Sequence, residues 1–499
     1  RLFQLAFILA HVPTLASRMP EYEDRFEPAR DELSASLLYF ATGGGKSEAF
    51  FGLLLFNLFL DRLRGKHRGV TALVRYPLRL LTLQQARRLM RILTQAELVR
   101  LRRRIAGAPF EIGFWVGSGN TPNKAAQGFG GVPAVTAVGH DTDDALLMPP
   151  QGNSDQAKAA QRKSSRYREA LESYDKLRSC PSCGKPTGMR KYPQQFGRIG
   201  IICFNDACDW NDQHKQATHR TPLPFLLTDD TIYQRAPSVV LGTIDKLALI
   251  GQHDRTINAI VGMFGAARYM DPDSRHLQMP RGDRGLTHAE DLGWSRLYPA
   301  FQNGAKIFVD PFPSLVIQDE GHLLEESLGT FSGLFETTFE SILVRLGNGA
   351  LKDLVATWQP SGSSPERRPR LAKVIAATAT ISDPDRQLKV LYQREPLPFP
   401  CPRANLYESF YAVPREPLSA ERKVFADTLP TRERAERAGP WMRSYVSIMT
   451  NGRSHTMTTS AVVSAYHLMI TRLWQKLVTE VNPAEAAAQL GRALNPLDP

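Results

Sequence analysis

The sequence predicts an α/β fold, a parallel sheet with helices on both faces, and three observations carry that expectation. Short apolar or β-branched runs alternate with helical patterns from residue 33 to residue 104. A Gly-rich turn, Thr42-Gly43-Gly44-Gly45-Lys46-Ser47, separates the first such run from a long helix. Far downstream an apolar strand, Leu315-Val316-Ile317-Gln318, ends in two adjacent acids, Asp319 and Glu320.

The elements follow in order. Residues 2–15 have helical apolar spacing and end in a polar, Pro-containing loop at 19–28. Residues 33–40 (LSASLLYF) read as a buried strand and 48–63 as a long helix. A second strand, 70–76 (VTALVRY), precedes a second helix at 80–104. Regularity then fails. Gly, Pro, Ser and Gln crowd 117–155, and 156–178 reads as a polar, charged helix before the cysteine cluster at 180–208. The α/β rhythm returns at 238–247, 314–318 and 373–377. A second irregular stretch covers 253–306; after 384 come a Pro-rich connection, a charged run at 420–437 and a final helix at 464–477.

At about 150 residues per domain, the 499 residues suggest roughly three domains or one two-lobed enzyme with inserts, and the patterns above divide them into four parts. Residues 1–119 and 234–383 form the two halves of one α/β lobe, 120–233 an insert, and 384–499 a connector or accessory region. The chain starts at Arg1 without an initiator Met, which suggests a piece of something larger.

Lys and Arg number 62 against 50 acids, a net charge of +12. The whole excess lies in residues 62–104, which hold thirteen Lys and Arg and a single acid, Glu97. Such concentration points to a polyanion-facing surface, with solvated helix faces as the alternative. Five cysteines are too few for a disulfide scaffold. The most apolar run, 49–60, contains Gly52 and Asn57 and is about half the length of a membrane-spanning helix. No secretory signal pattern is present, so a cytoplasmic location is expected.

The Gly-rich turn between strand and helix has the context of a phosphate-binding P-loop. There, the amides of Thr42, Gly43, Gly44 and Gly45 would cradle phosphate, Lys46 would reach the β- and γ-phosphates of ATP, and Ser47 would bind Mg²⁺. Phe40 stands where the first glycine of that signature belongs. Asp319 at the strand tip suits Mg²⁺, Glu320 the proton of an attacking water, and His322 completes a DExH-type run. Tyr76-Pro77-Leu78-Arg79-Leu80-Leu81-Thr82-Leu83-Gln84 matches the first nucleic-acid contact motif of superfamily 2 helicases at Pro77, Arg79, Leu81 and Gln84. Arg75, Thr243 and Lys246 are further candidates for backbone phosphate contact, and Thr378 and Thr380 of Ala377-Thr378-Ala379-Thr380 for coupling hydrolysis to lobe movement. The order of these motifs carries more weight than any one of them.

Cys180, Cys183, Cys203 and Cys208 form two close pairs, C-x2-C and C-x4-C, as in a structural zinc ribbon. Gly197, Ile199, Gly200, Ile201 and Ile202 suggest a hairpin leading to the second pair. His214 and His219 are reserve ligands, and Cys401 reads as an ordinary buried thiol. The expected architecture is therefore a RecA-like P-loop sheet interrupted by an irregular, zinc-carrying insert.

Together, the runs Arg1-Leu2-Phe3-Gln4-Leu5-Ala6-Phe7, Thr42 to Leu53, Val74 to Gln85 and Phe114-Trp115-Val116-Gly117, with the cysteine, acidic and T-A-T motifs, resemble the DrmA family. These are the helicases of bacterial DISARM anti-phage systems, and the resemblance covers roughly residues 1–383. It implies that Gln4 reads the adenine base. It also implies DNA as substrate, single-stranded or with a single-stranded overhang, and the DISARM subunit DrmB as partner. The arginine-finger motif of a second lobe is not found after Thr380, so weak or no ATPase activity is expected of these residues alone. The competing reading is a nucleotide-regulated DNA-binding scaffold with little intrinsic unwinding. A small-molecule kinase fits the motif order poorly.

Overall fold

A computed structural model describes residues 3–40, 44–77, 79–116, 176–192, 198–215, 220–243, 254–271, 275–278, 295–297, 304–324, 326–360, 367–378, 384–400, 455–480 and 485. Contacts group the chain into two units, Arg1–Tyr411 and Ala412–Pro499. The expected helix at 156–178, except its last three residues, and the charged run at 420–437 lie outside the described residues.

In the first unit, α1 (Phe3–Ala16), β1 (Ser34–Tyr39), α2 (Lys46–Leu63), β2 (Ala72–Tyr76), α3 (Arg79–Arg102) and β3 (Ile112–Trp115) come first. A hairpin of β4 (Thr187–Tyr192) and β5 (Arg198–Cys203) follows, then α4 (Asp209–Gln213), β6 (Phe225–Leu226), α5 (Asp229–Arg235) and β7 (Val239–Thr243). The later elements are α6 (Asp254–Val261), β8 (Leu315–Asp319), α7 (Glu326–Asn348), β9 (Lys373–Thr378), α8 (Pro384–Tyr392) and β10 (Glu395–Phe399). In the second unit, α9 (His455–Glu480) exposes Tyr466, Leu468 and Met469.

Eight strands form one sheet in the order β10-β1-β9-β8-β2-β7-β3-β6, and every pairing is parallel. The α/β expectation holds. Parallel strands covered on both faces alternate their side chains between two cores. Leu315 and Ile317 of β8 point into one cluster with Phe7, Phe50, Leu54 and Leu89 from α1, α2 and α3. Val316 points into the other, with Phe264, Phe339, Leu343 and Leu388. The same division separates Val374 and Ala376 from Ile375 and Ala377 on β9.

Two edge features differ from the sequence expectation. Phe225–Leu226, within the stretch expected as insert, pairs with β3 as an edge strand of the main sheet. At the other edge, β10 carries Pro396 and Pro398 and pairs with β1. The Glu395 amide donates to the Leu33 carbonyl at 3.0 Å. Alternation then turns the two prolines, which lack N–H groups, to the outer side.

The basic window needs the largest correction. Arg62, Lys66, Arg68, Arg75 and Arg100 are buried, and the Arg64 side chain is only 6% exposed. Arg18 Nε and Arg64 Nη1 meet Asp310 at 2.7 and 2.9 Å. Arg64 also pairs with Asp61 at 2.7 Å, which accepts from Thr71 Oγ1 at 2.7 Å. Lys66 donates to the carbonyls of Val70 and Phe312. Burial alone would raise the Asp310 carboxyl, but Arg18 and Arg64 outweigh it and hold it well below the usual range. Among the described side chains, Arg87, Arg91, Arg102, Arg103 and Arg104 are exposed on one face of α3 and its end, and Arg88 is partly exposed.

Removing one partner of a buried ion cluster leaves charge without compensation. Asp310→Ala should therefore destabilise the first unit by about 3–5 kcal/mol, read as a lowered urea midpoint with an unchanged m-value.

Two buried imidazoles set a pH limit. Burial lowers His11 to about 4. His276 falls to about 2 through burial and the charges of Arg235, Arg198 and Arg68. Both values lie below the unfolded value of about 6.5, so the unfolded chain takes the protons first. Their contribution is full above that pH and declines as pH falls through it. Each should cost about 2 kcal/mol between pH 7 and pH 5, and His11→Gln should reduce the measured drop accordingly.

Candidate nucleotide site and metal centre

All eight strands run the same way, so their carboxyl ends deliver their following loops to one edge. Register places Tyr39 beside Thr378 and Asp319 beside Ala377. Phe40, the start of α2 and the Asp319-Glu320 turn are thereby gathered.

Gly45 precedes α2 at φ +86°, in the left-handed region. A Cβ there would stand 2.5 Å from Gln4 Nε2. The left-handed backbone favours glycine there, and a Cβ would displace the Gln4 amide from its place. Gln4 donates to the Gly44 carbonyl at 3.3 Å, and Phe3 stacks on Phe40 with ring centroids 4.1 Å apart. The start of α1 thus lies over the Gly-rich loop. Lys46 opens α2, is buried, and donates from Nζ to the Phe40 carbonyl at 2.8 Å. Ser47 follows in the first turn of the helix; Thr42 and Gly43 lie outside the described residues.

Burial lowers the Lys46 ammonium, while Glu320 and Asp319 act the other way. Burial and the neighbouring Glu320 charge raise Asp319 to about 6, against the Glu320 amide and Lys46. The Glu320 N–H donates to Asp319 Oδ1 at 2.9 Å. One ammonium and two carboxylates from separate elements therefore share one polar site. Glu320 sits at φ +49°, a conformation that costs a non-Gly residue about 1–2 kcal/mol. His322 Nδ1 is 3.1 Å from Thr378 Oγ1 and 3.5 Å from Glu320 Oε2. Thr380 is outside the described residues.

Gln387 of α8 carried no sequence signal. Its Nε2 donates to the carbonyls of Gly321 and Leu324 at 2.8 and 3.0 Å and so clamps the turn behind Glu320. Tyr76 lies close enough for Asp319 to raise its phenol, after burial, well above its ordinary value.

The nucleic-acid candidates are less uniform. Arg75 is 2% exposed, ion-paired with Glu336 and 5.2 Å from the Phe335 ring. It faces inward, contrary to expectation, because β2 is covered on both faces. Gln84 is exposed on α3, which Arg79 begins. Thr243 is buried at the end of β7, and Lys246 lies outside the described residues.

The cysteines do converge. One ligand atom from each of Cys180, Cys183, Cys203 and Cys208 lies within 4.8 Å of all the others. Cys180 and Cys208 sulfurs are 3.8 Å apart, Cys183 and Cys203 sulfurs 3.6 Å. A tetrahedral Zn²⁺ with bonds of about 2.3 Å separates its sulfurs by about 3.8 Å, so the set could hold zinc. Gly184 at φ +72° closes the first knuckle, its N–H donating to the Cys180 carbonyl at 2.8 Å. The β4–β5 hairpin brings in Cys203 opposite Thr187. His214 Nδ1 instead contacts the Trp210 carbonyl at 2.7 Å; His219 and Cys401 are outside the described residues.

No protein-family model matches the chain. It is 30% identical over 444 residues to the DISARM protein DrmA of Bacillus paralicheniformis, an alignment covering 83% of this chain and 32% of that protein. The chain resembles DrmA over most of its length. The likeness read from the motifs is thus supported by the full alignment, and the DrmA-like chain spans about a third of its relative. Among the described residues, no helix is long and apolar enough to cross a membrane.

Metal analysis of the purified DrmA-like chain should return about one zinc per chain. Cys203→Ser should lose most of it, and alkylation of the remaining cysteines should then become rapid.

Proposed function

We propose that this chain is the first motor lobe of an ATP-dependent superfamily 2 helicase or translocase that acts on DNA in DISARM-type anti-phage defence. The observation that carries this reading is the meeting of Lys46, Asp319 and Glu320 at the carboxyl edge of the sheet, with Gln4 above the Gly-rich loop.

ATP supplies the phosphoanhydride to be cleaved, and Mg²⁺ neutralises charge on its phosphates. Thr42, Gly43, Gly44 and Gly45 would hold phosphate oxygens through their amides, and Lys46, which now donates to the Phe40 carbonyl, would supply the ammonium for the β- and γ-phosphates. Ser47 and Asp319 would hold Mg²⁺, and Gln4 would read adenine. Glu320 takes the proton of the attacking water. His322, bonded to Thr378, passes the state of the site toward Thr378 and Thr380. Arg79, Gln84, Thr243 and Lys246 contact the DNA backbone; Arg75 is left out because it is buried. Residues 1–119 and 234–383 are the halves of the lobe, and β6, α8 and β10 complete it at its edges. The four cysteines hold a structural Zn²⁺, and DrmB is the partner subunit in the cytoplasm.

A nucleotide-regulated scaffold is the second reading. Its support is the bond from Lys46 to Phe40, which closes the loop on itself. Lys46→Ala separates the two: a motor loses DNA-stimulated hydrolysis and unwinding, whereas a scaffold keeps DNA binding and assembly. In a longer protein that also carries a second lobe, Glu320→Gln should lower hydrolysis by about 10²–10⁴-fold while retaining fluorescent-ATP binding. Should Glu320→Gln hydrolyse ATP at the wild-type rate, its role as base is wrong.

A further inference from the structure

The turn that presents Glu320 is held less by packing than by hydrogen bonds. After β8 the chain makes a single 3-10 turn, Gly321–Leu323, closed by the Leu324 N–H donating to the Gly321 carbonyl at 3.0 Å. Pieces this short are weak on their own. A Cβ at Gly321 would meet nothing within 4 Å, and the Leu323 side chain is exposed. Behind the turn is a void of about 10 Å³, lined in part by Gln318, Gly321, Thr378 and Gln387, with room for no more than about one water. Space on both sides leaves the turn free to shift unless something ties it down.

Glu320 nevertheless keeps a left-handed backbone, at φ +49°. A conformation of that kind persists only where its surroundings enforce it. Two side chains do so. His322 Nδ1 is 3.1 Å from Thr378 Oγ1. The Gln387 amide spans the turn, with one N–H bond to the Gly321 carbonyl at 2.8 Å and one to the Leu324 carbonyl at 3.0 Å. One acceptor is the residue next to Glu320 and the other lies just past the far end of the turn.

The support behind Gln387 is firm. Leu388, Leu391 and Tyr392 of the same helix, α8, are buried in the apolar cluster that also holds Val316 of β8 and Val374 of β9. A primary amide suits the task because one nitrogen carries two donors, one for each carbonyl.

We propose that Gln387 is a positioning residue for Glu320, which it aims at the attacking water by fixing the backbone of the turn. The inference rests on the reading of Glu320 as the base that takes the water proton. It gives α8, the helix that follows the T-A-T strand, a part in the reaction without contact to the reacting atoms.

The test uses the longer protein that also carries a second lobe. Gln387→Met keeps the reach of the side chain and removes both donors. It should lower kcat for ATP hydrolysis by about 10–100-fold, with fluorescent-ATP binding unchanged and with faster amide exchange over residues 320–324 but not over β8 and β9. Gln387→Lys, whose ammonium can donate to the same carbonyls, should recover most of the rate. Gln387→Glu, an acceptor only when ionised, is a second loss variant should Gln387→Met misfold, and the same fall in kcat is expected of it. In a Glu320→Gln background Gln387→Met should slow hydrolysis no further, since its effect runs through the group it positions. A wild-type kcat in Gln387→Met while Glu320→Gln is slow overturns the inference alone. So does a loss carried by ATP affinity instead of kcat, or one that adds in full to that of Glu320→Gln. Hydrolysis by Glu320→Gln at the wild-type rate removes the base itself, and this inference with it.

Discussion

The arrangement depends on Asp310. Its carboxylate receives Arg18 from the end of α1 and Arg64 from the end of α2, and its own loop leads into β8. These three elements carry Gln4, Lys46 and Asp319 at their other ends. A buried ion cluster on one side of the sheet thus fixes the spacing of the polar groups on the other. Such clusters are poor sources of net stability but strict about geometry, because any misalignment leaves a charge buried without its partner.

The strands that carry chemistry were legible because a parallel strand covered on both faces is a continuous apolar run, and its polar end stands out. Residues 33–40, 70–76, 314–318 and 373–377 all became strands within two residues of expectation. β3, β6 and β10 were not read, being short or Pro-containing. The four cysteines were legible from spacing alone, since a metal knuckle is a local structure. Gln387 was not, because its acceptors are backbone carbonyls 66 and 63 residues away. The basic window misled for a related reason. Counting charge along the sequence finds the arginines but not Asp310 or Glu336, which the fold brings to Arg64 and Arg75 from far downstream.

The cysteine hairpin is not an appendage. Cys180, Cys203 and Cys208 share one apolar cluster with Ile199, Ile201, Trp210 and the residues of α2 and α3. The cysteine cluster and the lobe therefore have a common core, and order in the one is felt in the other. Trp210 anchors this junction, donating to the Thr221 carbonyl at 3.0 Å just before the chain enters β6.

The two prolines of β10 have a consequence for assembly. An open sheet edge is ordinarily a template on which another chain can add a strand. Here the outer side of β10 lacks the amide donors of Pro396 and Pro398, and the opposite edge, β6, is only two residues long. Neither border supports regular growth of the sheet. A chain that met this lobe by extending the main sheet would find few backbone donors at either border, which favours recognition through side chains on its helices and loops.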